Sequence, residues 1–108
     1  MSTRTPARPA LSEAQFALIA KALADPRRMA LLETIGGGRE CPCARLGAMF
    51  ALSKATISHH MKELVTAGLV ESRREGQYLH YCVRRDALQA YTAELLRRAG
   101  GRTDSKHG

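Results

Sequence analysis

The chain has 108 residues and a formal net charge of +7 at neutral pH. A chain of this length accommodates one domain with one compact core. It contains no Trp and only three Tyr and two Phe residues, so the core must be built mainly from aliphatic side chains. Such a thin core predicts a dimer, because a partner surface supplies additional burial.

The excess of basic over acidic residues favours a polyanionic partner such as nucleic acid. Residues 10–99 alone still carry a net positive charge, so the excess does not come only from the two ends of the chain. No apolar run approaches the ~20 residues that cross a bilayer. Residues 1–10 also lack the apolar segment of a signal peptide. We therefore predict a cytoplasmic protein without membrane contact. Its three cysteines are then expected to be reduced, which favours metal or redox chemistry over structural disulfides.

The first half of the chain predicts three helices. Ser12 and Gln15 form a capping-box pattern for a helix that runs to about Ala24. Its apolar side chains cover more than one stripe, which is typical of a helix that packs on its own core and on a partner subunit. Asp25 and Pro26 begin a second helix. Two further boundaries follow: the second helix ends at the glycines 36–38, and a short third helix begins near Pro42.

The second half predicts a fourth helix, a hairpin and a last helix. Ser53 caps the fourth helix, and Gly68 ends it in the left-handed conformation. Residues 69–74 and 77–83 alternate like paired strands around a Glu-Gly turn. Asp86 is expected to cap the last helix.

These elements predict one domain, residues 11–99, between a disordered tail at 1–10 and a flexible tail at 100–108. The order is α-α-α-α-β-β-α, a mainly α fold with a β-hairpin. Four helices followed directly by a basic hairpin are typical of a winged helix-turn-helix.

The fourth helix and the hairpin predict a surface for duplex DNA. Ile57, Met61 and Leu64 recur at helical spacing and form a buried face. The opposite face is small, polar and basic, which suits the major groove, and the helix N-terminus attracts phosphate. Arg73 and Arg74, expected at the hairpin turn, would reach the neighbouring backbone or minor groove. The predicted DNA contacts are Ser53, Lys54, Thr56, Ser58, His59, Lys62, Arg73 and Arg74.

Four segments stand out between about residues 20 and 85: Ala24-Asp25-Pro26-Arg27-Arg28, Ser53 through Leu64, Ala67-Gly68-Leu69-Val70 and Arg73-Arg74-Glu75-Gly76. Together these segments resemble the ArsR/SmtB family of bacterial repressors. The resemblance implies a homodimeric winged-helix protein that occupies operator DNA until an effector releases it. It also implies dimer contacts from the first and last helices, with recognition helices one duplex turn apart, ~34 Å.

Cys41 and Cys43 lie where the third helix is expected to start, an environment that lowers thiol pKa, with Arg39 and Arg45 nearby. Such thiolates bind soft ions or are oxidised. The alternative is that they are small buried apolar residues, as free cysteines usually are. Cys82, on the second hairpin strand, would be a third ligand or a disulfide partner only if the fold or the dimer brings it near. Otherwise it packs within its strand.

The arsenic-responsive members of the resembled family carry three cysteines in this region. Cys41 and Cys43 match the first two, and Leu46 stands at the third. The resemblance therefore implies an As(III) or Sb(III) effector held by two thiols, a weaker site than three. Zinc-sensing members use a carboxylate and histidines on the last helix. Asp86 matches, but Leu88 stands where His is expected, so that site is not predicted.

Three classes of function compete: a thiol-regulated DNA-binding repressor, a thiol enzyme or metal carrier, and a dimeric interaction module. The enzyme class lacks a catalytic triad, a Cys-x-x-Cys motif, a phosphate loop and a cofactor fingerprint. The interaction class leaves the small polar helix face unexplained. We predict a repressor without enzymatic activity and without a required cofactor. A thiol redox switch, another soft metal, or an effector that uses no cysteine remain alternatives to As(III) or Sb(III).

Overall fold

The structure is a computed structural model, and it describes residues 11–37 and 41–100. The predicted winged helix-turn-helix is confirmed, and the described part of the chain contains one strand more than expected. The predicted tails lie outside the described residues, apart from Gly100, the C-cap of the last helix. The elements are α1 Glu13–Leu23, α2 Pro26–Gly36, β1 Cys41–Pro42, α3 Cys43–Phe50, α4 Lys54–Thr66, β2 Val70–Glu75, β3 Tyr78–Val83 and α5 Arg85–Ala99.

Local capping sets the starts of three helices as the sequence predicts. Ser12, Asp25 and Ser53 each accept a hydrogen bond from a first-turn backbone N–H, at 3.0, 2.8 and 3.1 Å. Each such cap stabilises its helix by ~1 kcal/mol. Gly68 follows α4 with φ of +85°, the left-handed conformation that ends a helix.

The predicted cap of α5 is wrong, because the Asp86 side chain pairs with Arg84. Asp86 does not cap α5 but lies in its first turn, paired with Arg84 at 3.0 Å. The side chain of Gln15 reaches beyond its own helix. Its Nε2 donates to the Ala67 carbonyl at 3.2 Å, which joins α1 to the end of α4.

The sheet in the described residues has three antiparallel strands in the order β1-β3-β2. The added strand, β1, was not predicted because it has only two residues. It pairs Cys41 with Tyr81 and Pro42 with His80. This pairing ties the segment before α3 to the middle of the sheet.

The wing, residues 70–83, turns one residue later than predicted. Gly76 and Gln77 form its tip, and Gly76 has φ of +63°. Arg73 and Arg74 therefore lie inside β2 and not at the turn. Because side chains alternate along a strand, the two arginines point to opposite faces of the wing. The register places Arg73 opposite His80 and Arg74 opposite Leu79.

The core lies between the first four helices and the sheet. The predicted buried face of α4 is confirmed. Across the described residues, α5 buries one side chain, Tyr91, and leaves Leu95 and Leu96 exposed. No helix of the described residues is long and apolar enough to cross a membrane. The fully enclosed large side chains are Ile19, Leu31, Ile35, Leu46, Ile57, Met61, Leu64, Leu69 and Val70.

Candidate DNA-binding surface and thiol pair

The polar face of α4 is largely accessible. Lys54, His59 and Lys62 are exposed, as is Ser53 at the N-cap, while Thr56 and Ser58 are half-buried. Helix α4 packs on α3, and its buried face includes Ile57, Met61 and Leu64. This packing holds the basic side chains on one outward surface, which leaves them able to meet phosphates.

The N-terminal turn of α4 is braced by two hydroxyl groups. The Ser53 hydroxyl accepts a hydrogen bond from the Thr56 backbone N–H and donates to Thr56 Oγ1 at 2.9 Å. Thr56 Oγ1 is thereby an acceptor, so its own hydroxyl proton is left to donate outward. A positioned donor at a helix N-terminus suits a phosphate or a base edge.

His60 does not share the exposed face of α4 on which His59 lies. It is 9% exposed, and its Nδ1 has no hydrogen-bond partner among the described residues. Neighbouring positions on a helix are ~100° apart, so His59 faces out while His60 faces in. Hydrogen bonds from the Arg27 and Arg28 N–H groups lower the pKa of the Asp25 carboxyl, and His60 lies near enough to add a smaller effect of the same direction.

The two arginines of the wing have different surroundings. Arg73 pairs with Glu75 at 3.4 Å, and His80 lies 3.9 Å from the same carboxylate. Arg74 lies on the other face, near enough to Tyr81 for its charge to act on the phenol. The wing therefore presents one arginine on each face.

The thiol pair, Cys41 and Cys43, is buried: the two residues are 6% and 7% exposed. Burial raises the pKa of the Cys41 thiol and outweighs the charge of Arg45, which lowers it. The expected low pKa is therefore wrong for Cys41. The physical reason is that Cys41 precedes the helix, in β1, with Pro42 as the N-cap, so water is removed without full access to the helix dipole. Arg39 lies outside the described residues.

Tyr81 also lies beside the thiol pair, and the sequence did not indicate this position. It is 3% exposed, pairs across the sheet with Cys41 and lies beside Cys43. Burial raises the pKa of Tyr81 to about 12, and the charge and hydrogen bonding of Cys43 add to the effect. The alternation of β3 places Tyr81 on the core side, but no local signal shows that Cys41 is its partner.

Cys82 lies apart from the thiol pair. It follows Tyr81 along β3 and so points to the opposite face from Cys41. Its side chain lines a cavity of about 1150 Å³ between α2, β3 and α5, and its thiol donates to the Val83 carbonyl at 3.7 Å. Within one chain it is not a third ligand for the pair. The described residues contain no group of three His, Cys, Asp or Glu side chains that could hold a metal ion.

Comparison with known proteins assigns this architecture. A helix-turn-helix domain family matches residues 23–73. The arsenical resistance operon repressor of Staphylococcus xylosus is 36% identical over 85 residues, which cover 79% of this chain and 81% of that protein. The chain belongs to the ArsR family of winged helix-turn-helix regulators.

Two solved structures of ArsR-type regulators share the fold. An ArsR-like transcriptional regulator from Rhodococcus sp. RHA1 has a TM-score of 0.71 at 30% identity, over 84% of each chain. A homodimeric winged helix-turn-helix DNA-binding domain from Mycobacterium bovis has a TM-score of 0.67 at 26% identity, over 100% of this chain and 99% of that one. This ArsR-family chain is therefore a DNA-binding transcriptional regulator, in a family of regulators and not of enzymes. Its α3 and α4 form the helix-turn-helix, and residues 70–83 form the wing.

Proposed function

We propose that the protein is a homodimeric repressor that binds operator DNA and is released when As(III) or Sb(III) binds the thiol pair. The observation that carries this proposal is the position of Cys41 and Cys43. Both are buried, and Cys43 is the first residue of α3, the helix that packs on α4. The identity with arsenical resistance operon repressors of two staphylococci supports the choice of effector.

The dimer is proposed to form through α1 and α5. Leu18 of α1 and Leu95 and Leu96 of α5 are 40%, 42% and 59% exposed. Large exposed aliphatic side chains on two helices are typical of an interface that is covered in the assembled protein. The homodimeric state of the similar Mycobacterium bovis domain supports the assignment.

In this dimer, both α4 helices enter major grooves one duplex turn apart, ~34 Å. Lys54 and Lys62 neutralise phosphates, while Thr56, Ser58 and His59 are placed to bond phosphates or base edges. Arg73 and Arg74 of the wing contact the flanking backbone or minor groove. The operator is expected to be an inverted repeat, because the protein two-fold axis imposes one.

Effector binding is a condensation that leaves the oxidation state of arsenic unchanged. As(III) enters as arsenous acid, and each cysteine sulfur forms one bond to arsenic while one arsenic–oxygen bond breaks. Each thiol proton leaves with a hydroxide as water, so two waters are released and one hydroxide stays on arsenic. Antimonous acid would react in the same way.

Release follows from a shift between two conformations of the dimer. Ligation at the start of α3 tilts that helix against α4, which alters the spacing of the two recognition helices. A difference of ~3 kcal/mol between the two states lowers operator affinity more than a hundredfold.

The test uses a duplex recovered by selection from a random-sequence pool, with binding followed by fluorescence anisotropy. The double variant Cys41→Ser/Cys43→Ser is expected to bind this duplex like the parent and to resist arsenite. Cys82→Ser is the matched control and should be released like the parent. Release of the double variant by arsenite overturns the assigned site. Release of the parent by peroxide but not by arsenite overturns the assigned effector in favour of a redox switch.

A further inference from the structure

Tyr81 lies at the point where the thiol pair meets the wing. It belongs to β3, the middle strand, which pairs with β1 on one side and β2 on the other. Across one edge its partner is Cys41, and across the other it is Ser72. One residue with a buried side chain thus pairs with both the proposed effector segment and the first strand of the wing.

The side chains on this face form a short continuous path. Directly paired residues of antiparallel strands project from the same face, with Cβ atoms ~5 Å apart, so Cys41 and Tyr81 are in direct contact range. The phenol also lies beside Cys43. Arg74, on the same face of the wing, is close enough for its charge to act on the phenol.

The thiol pair and Tyr81 are shielded from solvent, so an effector must enter a packed part of the fold. Cys41, Cys43 and Tyr81 are 6%, 7% and 3% exposed. A closely packed interior responds to an added atom by moving a neighbour, since it has little free volume to compress. Arsenic bonded to both sulfur atoms is therefore expected to displace a neighbouring side chain, and Tyr81 is a buried neighbour of both cysteines.

We propose that Tyr81 is the positioning residue that transmits effector binding from the thiol pair to the wing. This inference rests on the proposed thiol-sensed release. Tyr81 forms no bond to arsenic. Arsenic on Cys43 displaces the Tyr81 hydroxyl that lies against this thiol. The displaced side chain shifts β3 against β1, and the β2–β3 pairing carries the shift to Arg73 and Arg74. Release then combines two movements, the tilt of α3 and a change in the direction of the wing.

The test compares Tyr81→Phe with Tyr91→Phe in the full-length protein. Tyr91 is the matched control because it is also buried but belongs to α5. Arsenite occupancy is counted as the loss of reactive thiols in the denatured, quenched protein, and duplex affinity is measured on the same samples. At full occupancy the parent and Tyr91→Phe are expected to lose affinity about a hundredfold. Tyr81→Phe should bind DNA normally without arsenite but lose only about tenfold, because the hydroxyl contact with Cys43 is absent.

Equal release of Tyr81→Phe and parent at equal occupancy overturns the role of Tyr81. A parent that takes up arsenite without release, or takes up none, overturns the proposed function instead. A second measurement needs no substitution: ring-labelled tyrosine is followed by NMR as arsenite is added to the parent. The Tyr81 signals should shift together with the backbone signals of residues 72–74, while those of Tyr91 stay in place. Unmoved Tyr81 signals at full occupancy also overturn the inference.

Discussion

The guanidinium of Arg98 lies 4.0 Å from the centre of the Phe16 ring and so connects the end of α5 to the start of α1. The same group pairs with Glu13 at 2.9 Å and with Glu94 at 2.7 Å. Phe16 in turn packs against Tyr91, with ring centres 5.0 Å apart. These contacts hold together the two helices that we propose for the dimer interface.

Arg98→Ala should therefore lower the melting temperature and weaken the dimer, because α1 and α5 lose a cation–π contact and an interhelical ion pair. Arg97→Ala is the matched control, since Arg97 pairs with Glu94 of its own helix at 2.7 Å. Calorimetry and sedimentation equilibrium measure the two effects. Equal losses in both variants would contradict a role for Arg98 in joining the helices.

Low pH should remove the contribution of Glu94 to the free energy of unfolding. Hydrogen bonds from Arg97 and Arg98 lower the pKa of Glu94 from 4.5 to about 2. A pKa lowered in the fold contributes stability above the unfolded value, and this contribution is lost as the pH falls from about 4.5 towards 2. Urea unfolding across this range should show a shallower pH dependence for Glu94→Gln than for the parent. Glu33→Gln, an exposed change on α2, should leave the parent slope unaltered.

Gly68→Ala should destabilise the fold by ~2 kcal/mol, since it combines left-handed strain with a disturbed hydrogen bond. Gly68 has φ of +85°, and an added Cβ would lie 2.6 Å from Gln15 Nε2. Gly76→Ala is the control for strain alone: its φ is +63° and nothing lies within 4 Å of the added atom. We expect it to cost ~1 kcal/mol in chemical denaturation. A Gly68→Ala variant as stable as Gly76→Ala would mean that Gln15 moves aside without loss.

Alkylation should modify Cys82 before the thiol pair. Cys82 is half-buried, whereas Cys41 and Cys43 are buried and the pKa of Cys41 is raised. Since the thiolate is the reactive form, low accessibility and the raised pKa both slow Cys41, and low accessibility slows Cys43. Iodoacetamide labelling followed by peptide mass spectrometry gives the order, and labelling in denaturant should make the three rates similar. Faster labelling of Cys41 than of Cys82 in the native protein would contradict the burial described above.

Lys62→Ala should weaken DNA binding on every sequence and flatten its salt dependence. Each phosphate contact contributes a slope of about 0.9 in log affinity against log salt, and a dimer carries two copies of Lys62, so the slope should fall by about 2. Arg97→Ala removes the same charge from α5 and should leave the slope near that of the parent. An unchanged slope for Lys62→Ala would remove this residue from the DNA-binding surface.

The sequence alone determined the features that depend on neighbouring residues. Ser12, Asp25 and Ser53 cap their helices, and Gly68 ends α4, because a cap needs only a side chain and a backbone group within one turn. The apolar spacing in α4 predicted its buried face for the same reason. The resemblance to ArsR-type regulators rested on these same local segments.

Only the tertiary structure decided the surroundings of the thiol pair. A two-residue strand has no signal of its own and is stabilised by a partner, so neither β1 nor the contact of Cys41 with Tyr81 could be predicted. The same pairing buries the thiols and raises the pKa of Cys41, which reverses the expectation from helix position and charge. Desolvation depends on everything packed around a group, and residues 40 positions apart in the chain supply that packing here.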